Sequence, residues 1–194
     1  MPSLKDSLKK SLTGYAPVSR CWCIRPVSDL ISPSGWFYHS HMDYQSLRNR
    51  EFETTLRVLQ AFPLDKSDLR PADKCRTARE LATVFVVEER VNTQLLETGA
   101  TNPQALNRKV PETMAGIISA WQEAVAASNA LIARTSQEQM AKIVDFYGMK
   151  IPLSEALWFE LLDHIHHRGQ FSVYLRMAGG VAPSIYGPTA EVQG

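Results

Sequence analysis

The sequence is poor in the features that mark exported, membrane-spanning or nucleic-acid-binding proteins. Its 194 residues include only three cysteines, and 20 acidic residues balance its 21 basic ones. Apolar runs fall short of the roughly 18 residues of a spanning helix, and no signal-peptide core follows the first lysines. The basic excess that would neutralise nucleic-acid phosphates is also missing. We therefore predict a soluble cytoplasmic protein that binds neither membranes nor nucleic acid.

The cysteines form no disulfide or zinc framework. They are Cys21, Cys23 and Cys75, an odd number, and the Cys-x-Cys pair lacks the second pair of ligands that a zinc knuckle needs. A chain of this length can bury enough surface to fold without disulfides or a structural metal. We interpret the cysteines as free thiols, so any metal in this protein must have a functional reason.

Residues 1–36 differ in composition from the rest of the chain. They mix Ser, Pro and Gly with five basic residues and carry only Asp6 and Asp29 as acids. We predict a loosely ordered, irregular N-terminal extension, with a transit peptide as the alternative, since such peptides are also basic and poor in acids.

Residues 37–194 carry the periodicity of long amphipathic helices. The first helix ends at Pro63, because proline interrupts helical hydrogen bonding. The second begins at the capping box formed by Thr77 and Glu80, and Gly99 stops it. These signals define two helices separated by a polar connection.

Two more long helices follow. The third spans about 114–132, and the fourth about 153–178. Between them we expect a short helical turn near 135–139 and a small hairpin within 142–151. Four helices of roughly 20 residues joined by connections of about 10 residues are typical of an up-down four-helix bundle. The predicted fold class is therefore all-α.

The fourth helix has a polar centre in its predicted inward stripe. The polar members of that stripe are Glu160, Asp163, His164, His167, Gln170 and Tyr174. A buried polar group without a partner costs about 1–3 kcal/mol, so this cluster needs partners or a ligand. Imidazole and carboxylate groups suit Zn, Ni, Mn or Fe. A hydrogen-bonded network of core histidines is the alternative.

Three motifs lie in and after the fourth helix: Asp-His-Ile-His-His-Arg-Gly-Gln at 163–170, Tyr-Leu-Arg at 174–176 and Pro-Ser-Ile-Tyr-Gly-Pro at 183–188. Together they resemble the DinB superfamily of DinB/YfiT-like metalloenzymes. The resemblance covers about 42–188. It implies a four-helix bundle, frequent homodimers, and a divalent metal held by three histidines, one on the second helix and two on the fourth. Characterised branches of the superfamily are thiol-dependent transferases and isomerases.

The resemblance breaks down at the second helix, where Val84 stands in the position of the histidine ligand. Glu88 lies one turn later on the same face and could replace it as an oxygen ligand, with a solvated glutamate on the helix surface as the alternative. On the fourth helix, the family's ligand positions fall on His167 and on either Asp163 or His164. We therefore predict His167, His164, Asp163 and Glu88 as metal ligands.

Other residues of the motif receive supporting roles. We expect Gln170 to orient a ligand imidazole and Glu160 to lie beside the ligands. Tyr174 either hydrogen-bonds a substrate or fills the core. Arg168 points away from the ligands on this prediction, towards an ion pair or an interface.

Three further side chains are alternative ligands. Glu80 lies one turn before Val84, and His39 and His41 precede the first helix. Each of them is also typical of a solvated surface position.

These residues leave two functions open. One is a metal-dependent enzyme, either a thiol-dependent transferase or hydrolase-like, acting on a small molecule or a low-molecular-weight thiol. The other is a metal-free homodimer that serves as a binding or structural module. A ferritin-like di-metal oxidase is excluded because its paired Glu-x-x-His motifs are absent.

Overall fold

The computed structural model describes residues 43–103 and 109–191, so the predicted extension at 1–36, together with His39 and His41, lies outside the described residues. The described elements are the long helices α1 (Tyr44–Gln60), α2 (Ala78–Thr98), α3 (Met114–Ala133) and α5 (Leu153–Met177), the short helix α4 (Gln137–Met140), a 3₁₀ turn (Leu64–Lys66), and the strands β1 (Ile143–Phe146) and β2 (Met149–Pro152). The all-α prediction is confirmed, and the two-stranded sheet is a minor addition.

Local hydrogen bonds explain where the helices begin and end. Asp43 caps α1 by accepting from the Ser46 backbone N–H. Thr77 and Glu80 form the predicted reciprocal capping box at the start of α2. Gly99 ends α2 with φ 72°, a left-handed conformation that glycine adopts without steric cost.

The four long helices enclose a main apolar core, and a smaller apolar cluster lies where the hairpin meets α2 and α5. Helix α2 packs against α3 and α5, and α1 packs against α5 and α3 on the other side. Large aromatic side chains fill the centre, among them Phe52, Phe85, Trp121 and Phe171. Burial of each such side chain contributes about 1.5–3 kcal/mol, so this core is the main source of stability.

The predicted hairpin is present and covers one end of the bundle. Strands β1 and β2 pair antiparallel, with Val144 opposite Ile151. Tyr147 and Gly148 both have positive φ (51° and 86°), as a two-residue hairpin turn requires. Backbone bonds of 2.9 Å from Asp145 to Gly99 and Thr101 tie the hairpin to the end of α2. The hairpin thereby lies beside the groove between α2 and α5.

A membrane-crossing helix is not found among 43–103 and 109–191, because no helix there is both long and apolar enough.

Candidate metal centre

Glu88 of α2 reaches inward between two histidines of α5. Its Oε2 lies 3.0 Å from Nδ1 of His164, and its Oε1 lies 2.7 Å from Nδ1 of His167. The residue is buried, with only 4% of its surface exposed. A solvated glutamate on the helix surface was the alternative, and the structure excludes it.

Asp163 joins Glu88 and His167 from the solvent side. Its Oδ2 lies 3.7 Å from Nδ1 of His167, one helical turn away. One donor atom from each of Glu88, Asp163 and His167 lies within 4.8 Å of the others, and we call these three residues the carboxylate–histidine cluster. Glu88 is buried, His167 is half-buried and Asp163 is exposed, so the cluster opens to solvent on one side.

His164 takes a different place from the one predicted. Its Nε2 lies 2.8 Å from the Thr55 hydroxyl, and its Nδ1 is held by Glu88, so both ring nitrogens have partners. The Thr55 hydroxyl donates its hydrogen to the Glu51 carbonyl at 3.1 Å, so its oxygen accepts from Nε2 of His164. In this structure the ring positions Glu88 and is not one of the three grouped donors, and ligation by His164 stays a prediction.

Aromatic rings fix the orientation of His164. The His164 ring centroid lies 4.4 Å from that of Phe52 and 4.9 Å from that of Phe85, and it stacks on Trp121 at 5.9 Å. Burial lowers the pKa of His164, which keeps the ring neutral. The partner of Glu88 at this oxygen is therefore a rigid, uncharged ring.

Acidic side chains dominate the electrostatics of the site. Burial, together with the charges of Glu88 and Asp163, raises the pKa of Glu160 to about 9. Burial also raises the pKa of Glu88 to about 7, against the lowering effect of the His164 hydrogen bond. A cation placed here would relieve this repulsion between carboxylates.

His167 experiences charges of both signs. Burial lowers its pKa, the nearby Asp163 carboxylate opposes that shift, and the Arg76 guanidinium adds to it. Metal ligation needs a deprotonated imidazole nitrogen, so a lowered pKa favours ligation.

A cavity of about 550 Å³ adjoins the cluster. Glu88, Glu160 and Asp163 line it, together with apolar side chains of α2, α5 and the hairpin, and we call it the acidic cavity. Its apolar lining includes Val84, the residue that stands at the expected histidine position. The cavity is large enough for a small substrate beside the cluster.

The donor set of the cluster fits a divalent transition metal. One imidazole and two carboxylates suit Zn, Mn, Fe or Ni, and open positions remain on the solvent side. With Glu88 replacing the missing histidine, the set is richer in oxygen than the resemblance implied. Glu80, the other predicted substitute on α2, is engaged in the capping box instead.

Gln170 and Tyr174 have different surroundings. Gln170 is exposed and its amide lies 2.8 Å from Nε2 of His166, a histidine outside the cluster, so its predicted role of orienting a ligand imidazole stays a prediction. Tyr174 packs in the core, and its hydroxyl donates to the Arg76 carbonyl at 2.9 Å. The core-filling alternative is the one observed for Tyr174.

Arg168 does not point away from the bundle. It is buried and forms an ion pair of 2.6 Å with Glu51 of α1. The predicted ion pair exists, but it lies in the interior.

Sequence reasoning missed Thr55 and the aromatic residues around His164. Thr55 lies on α1, far from the motif in the chain, and only the packing of α1 against α5 brings it to the ring.

The fold and the site together define a four-helix bundle with a carboxylate–histidine cluster in the groove between two helices. The model of the DinB family matches residues 39–193, and the chain belongs to this family.

Solved structures support the fold. A DinB-like protein of Bacillus subtilis, YjoA, superposes with a TM-score of 0.62 at 19% identity, over 73% of this chain and 95% of its own. A DinB-like protein of Bacillus cereus gives a TM-score of 0.62 at 22% identity, covering 71% of this chain and 92% of its own.

One curated relative matches part of the sequence. The uncharacterized protein YrdA of Bacillus subtilis is 35% identical over 69 residues, which are 34% of this chain and 41% of YrdA. The match therefore spans less than half of the length of YrdA.

Proposed function

We propose that this protein is a divalent-metal-dependent enzyme in which Glu88, Asp163 and His167 hold the metal. The observation that carries the proposal is the convergence of these side chains from α2 and α5 within 4.8 Å, beside a cavity. Glu88 restores a ligand on α2 where Val84 removes the expected one. A divalent ion bound there supplies Lewis acidity that activates a thiol or a water molecule near neutral pH.

The remaining side chains of the site bind and orient. His164, held by Thr55 and by aromatic rings, fixes the Glu88 carboxylate. Glu160, with a pKa of about 9, keeps its proton at neutral pH and can donate it within the acidic cavity. The apolar lining favours a substrate with an apolar part and limits water. These features fit a thiol-dependent transferase or a hydrolase-like reaction on a small molecule, in a homodimer.

A metal-free binding or structural module is the second candidate. Both Glu88 oxygens already have histidine partners, so the polar cluster can persist as an internal hydrogen-bond network. Under this alternative, the melting temperature does not respond to chelators.

Elemental analysis of the untagged protein, with melting curves before and after chelation, separates the two functions. The metal-enzyme proposal predicts near-stoichiometric Zn, Ni, Mn or Fe and a lower melting temperature after chelation, because a ligand that binds only the folded state stabilises it. His167→Gln should abolish both effects and turnover. His166→Gln is the matched control for metal content and melting temperature, since His166 is a neighbouring, exposed histidine outside the cluster; it is not a control for turnover, because His166 lines the acidic cavity. Unchanged metal content in His167→Gln contradicts the proposal.

A further inference from the structure

A second cavity, of about 610 Å³, lies further along the same two helices. It is formed by the connection between α1 and α2, the first turns of α2 and the C-terminal half of α5. Its lining includes Lys74, Cys75, Arg76, Gln170 and Tyr174. Two lining residues are cations and none is acidic, so we call it the cationic cavity.

The two cations of this cavity are available to a ligand. Within 43–103 and 109–191, no carboxylate forms an ion pair with Lys74 or Arg76, and both side chains are exposed. Neighbouring arginines differ in this respect. Arg70 pairs with Glu80 at 3.2 Å, and Arg79 pairs with Asp68 at 2.7 Å. The two cations that line the cavity thus keep their positive charge free of a carboxylate partner among the described residues, unlike the two arginines beside them.

The backbone that carries these cations is fixed in place. The Tyr174 hydroxyl donates to the Arg76 carbonyl at 2.9 Å. Arg70 donates to the Cys75 carbonyl and is itself held by Glu80. The carbonyls of two successive residues are thus held by side chains, one from α5 and one from the connection between α1 and α2. The backbone of the cavity therefore has its shape before a ligand binds.

The cationic cavity and the acidic cavity lie in tandem. On α2, Leu81 lines the first and Glu88 the second, seven positions apart. On α5, Gln170 lines the first and Asp163 the second, again seven positions apart. Other lining residues come closer, three positions apart on α2 (Leu81 and Val84) and four on α5 (Gln170 and His166), so the two cavities adjoin along both helices. His167 lies between them on α5.

We infer that the cationic cavity binds an anionic group, a carboxylate or a phosphate, of a substrate whose reacting end lies at the carboxylate–histidine cluster. Lys74 and Arg76 bind the anion, and Gln170 donates an amide N–H to it. The substrate class is thus an elongated small molecule with a negative charge at one end and its reacting group at the other. The statement about the reacting end rests on the proposed function, whereas anion binding does not.

Nuclear magnetic resonance titration of the metal-stripped full chain tests the inference. The probes are inorganic phosphate and succinate, added separately at constant ionic strength and pH. We expect backbone amide shifts concentrated at 74–76 and 170–174. The double variant Lys74→Gln/Arg76→Gln should weaken binding about 10-fold or more, since two charge-assisted contacts are lost.

The control is the double variant Arg134→Gln/Lys142→Gln, which removes the same two positive charges from exposed positions outside the cavity and should leave binding unchanged. Stronger binding of phosphate assigns the site to phosphorylated substrates, and stronger binding of succinate assigns it to carboxylates. Equal affinities of the wild type and a folded double variant, or shifts spread over other surfaces, overturn the inference.

Metal content measured in parallel separates this inference from the proposed function. If the wild-type protein binds the anion but takes up no metal, and the double variant loses anion binding, then the anion site is supported and the metal-dependent enzyme is refuted. Stoichiometric metal without anion binding at this cavity overturns only the present inference.

Discussion

A single carboxylate, that of Glu88, holds His164 through one oxygen at 3.0 Å and His167 through the other at 2.7 Å. The two histidines are three residues apart on α5, yet they have different surroundings. His164 is closed in by Thr55 and by aromatic rings, whereas His167 faces Asp163 and solvent. Glu88 therefore connects the core of the bundle to the open cluster.

Glu88→Gln should weaken metal binding without unfolding the protein. The amide keeps the shape but loses the charge, so affinity for Zn or Mn should fall at least about 10-fold, the smallest loss typical of altered metal surroundings. Because burial opposes the charged form of Glu88, the metal-free variant should melt near the wild-type temperature.

Titration against a chromophoric chelator measures the affinity in this experiment. Glu97→Gln on the exposed face of α2 is the matched control. Equal affinities of Glu88→Gln and Glu97→Gln would remove Glu88 from the ligand set.

His164→Phe should show that His164 acts through Glu88. The ring stays aromatic, but Glu88 Oε2 loses its partner, so the free energy of unfolding should fall by about 1–3 kcal/mol. Metal affinity should fall about 10- to 100-fold, as for loss of an orienting partner. Urea denaturation and metal titration check both effects. In Thr55→Val, which leaves Glu88 untouched, metal affinity should change far less. An equal loss of affinity in both variants would contradict the positioning role.

Glu160 gives the metal-free protein a definite pH dependence. Its pKa is raised in the folded state from 4.5 to about 9, so the folded protein holds this proton more tightly than the unfolded chain. Its contribution to stability is therefore fully present below pH 4.5 and is lost as pH rises to about 9. Glu160→Gln has no proton to lose at this position, so its stability should fall less over the same pH range. Melting temperatures of both proteins in chelator across this range test the prediction, and parallel curves would refute it.

Arg168 should contribute more to stability than to chemistry. It pairs with buried Glu51 at 2.6 Å, and the Tyr186 hydroxyl donates to Glu51 at 2.7 Å, which ties the C-terminal loop to α1. Arg168→Met leaves a buried carboxylate unpaired and should cost about 3–5 kcal/mol. Tyr186→Phe should cost about 1 kcal/mol. Urea denaturation measures the free energy of unfolding of both variants. Similar losses in Arg168→Met and Tyr186→Phe would argue against an essential buried ion pair.

The sequence predicted the helix ends and the hairpin well because local chemistry determines them. The capping box at Thr77, the left-handed Gly99 and the Tyr147–Gly148 turn depend on residues close together in the chain. Glu88 was also within reach of sequence reasoning, since its position follows from helical spacing after Val84.

The orientation of α5 was predicted less well. At roughly 100° per residue, Arg168 lies about 40° from His164 and Gln170 about 120° from it, so the true inward face includes Arg168 and excludes Gln170. Helix α5 also exposes Trp158, Phe159, Leu162, Val173 and Met177. Apolar residues therefore do not mark its buried side, and Arg168 is buried only because Glu51, distant in the chain, neutralises it.

X-ray absorption spectroscopy of the Zn- or Mn-loaded protein tests the central claim most directly, because it counts imidazole and oxygen ligands around the metal. The carboxylate–histidine cluster predicts one imidazole, oxygen ligands for the remainder and no sulfur, with the imidazole signal lost in His167→Gln and kept in His166→Gln. Two or more imidazoles, a sulfur ligand, or no specifically bound metal would contradict the assignment of Glu88, Asp163 and His167.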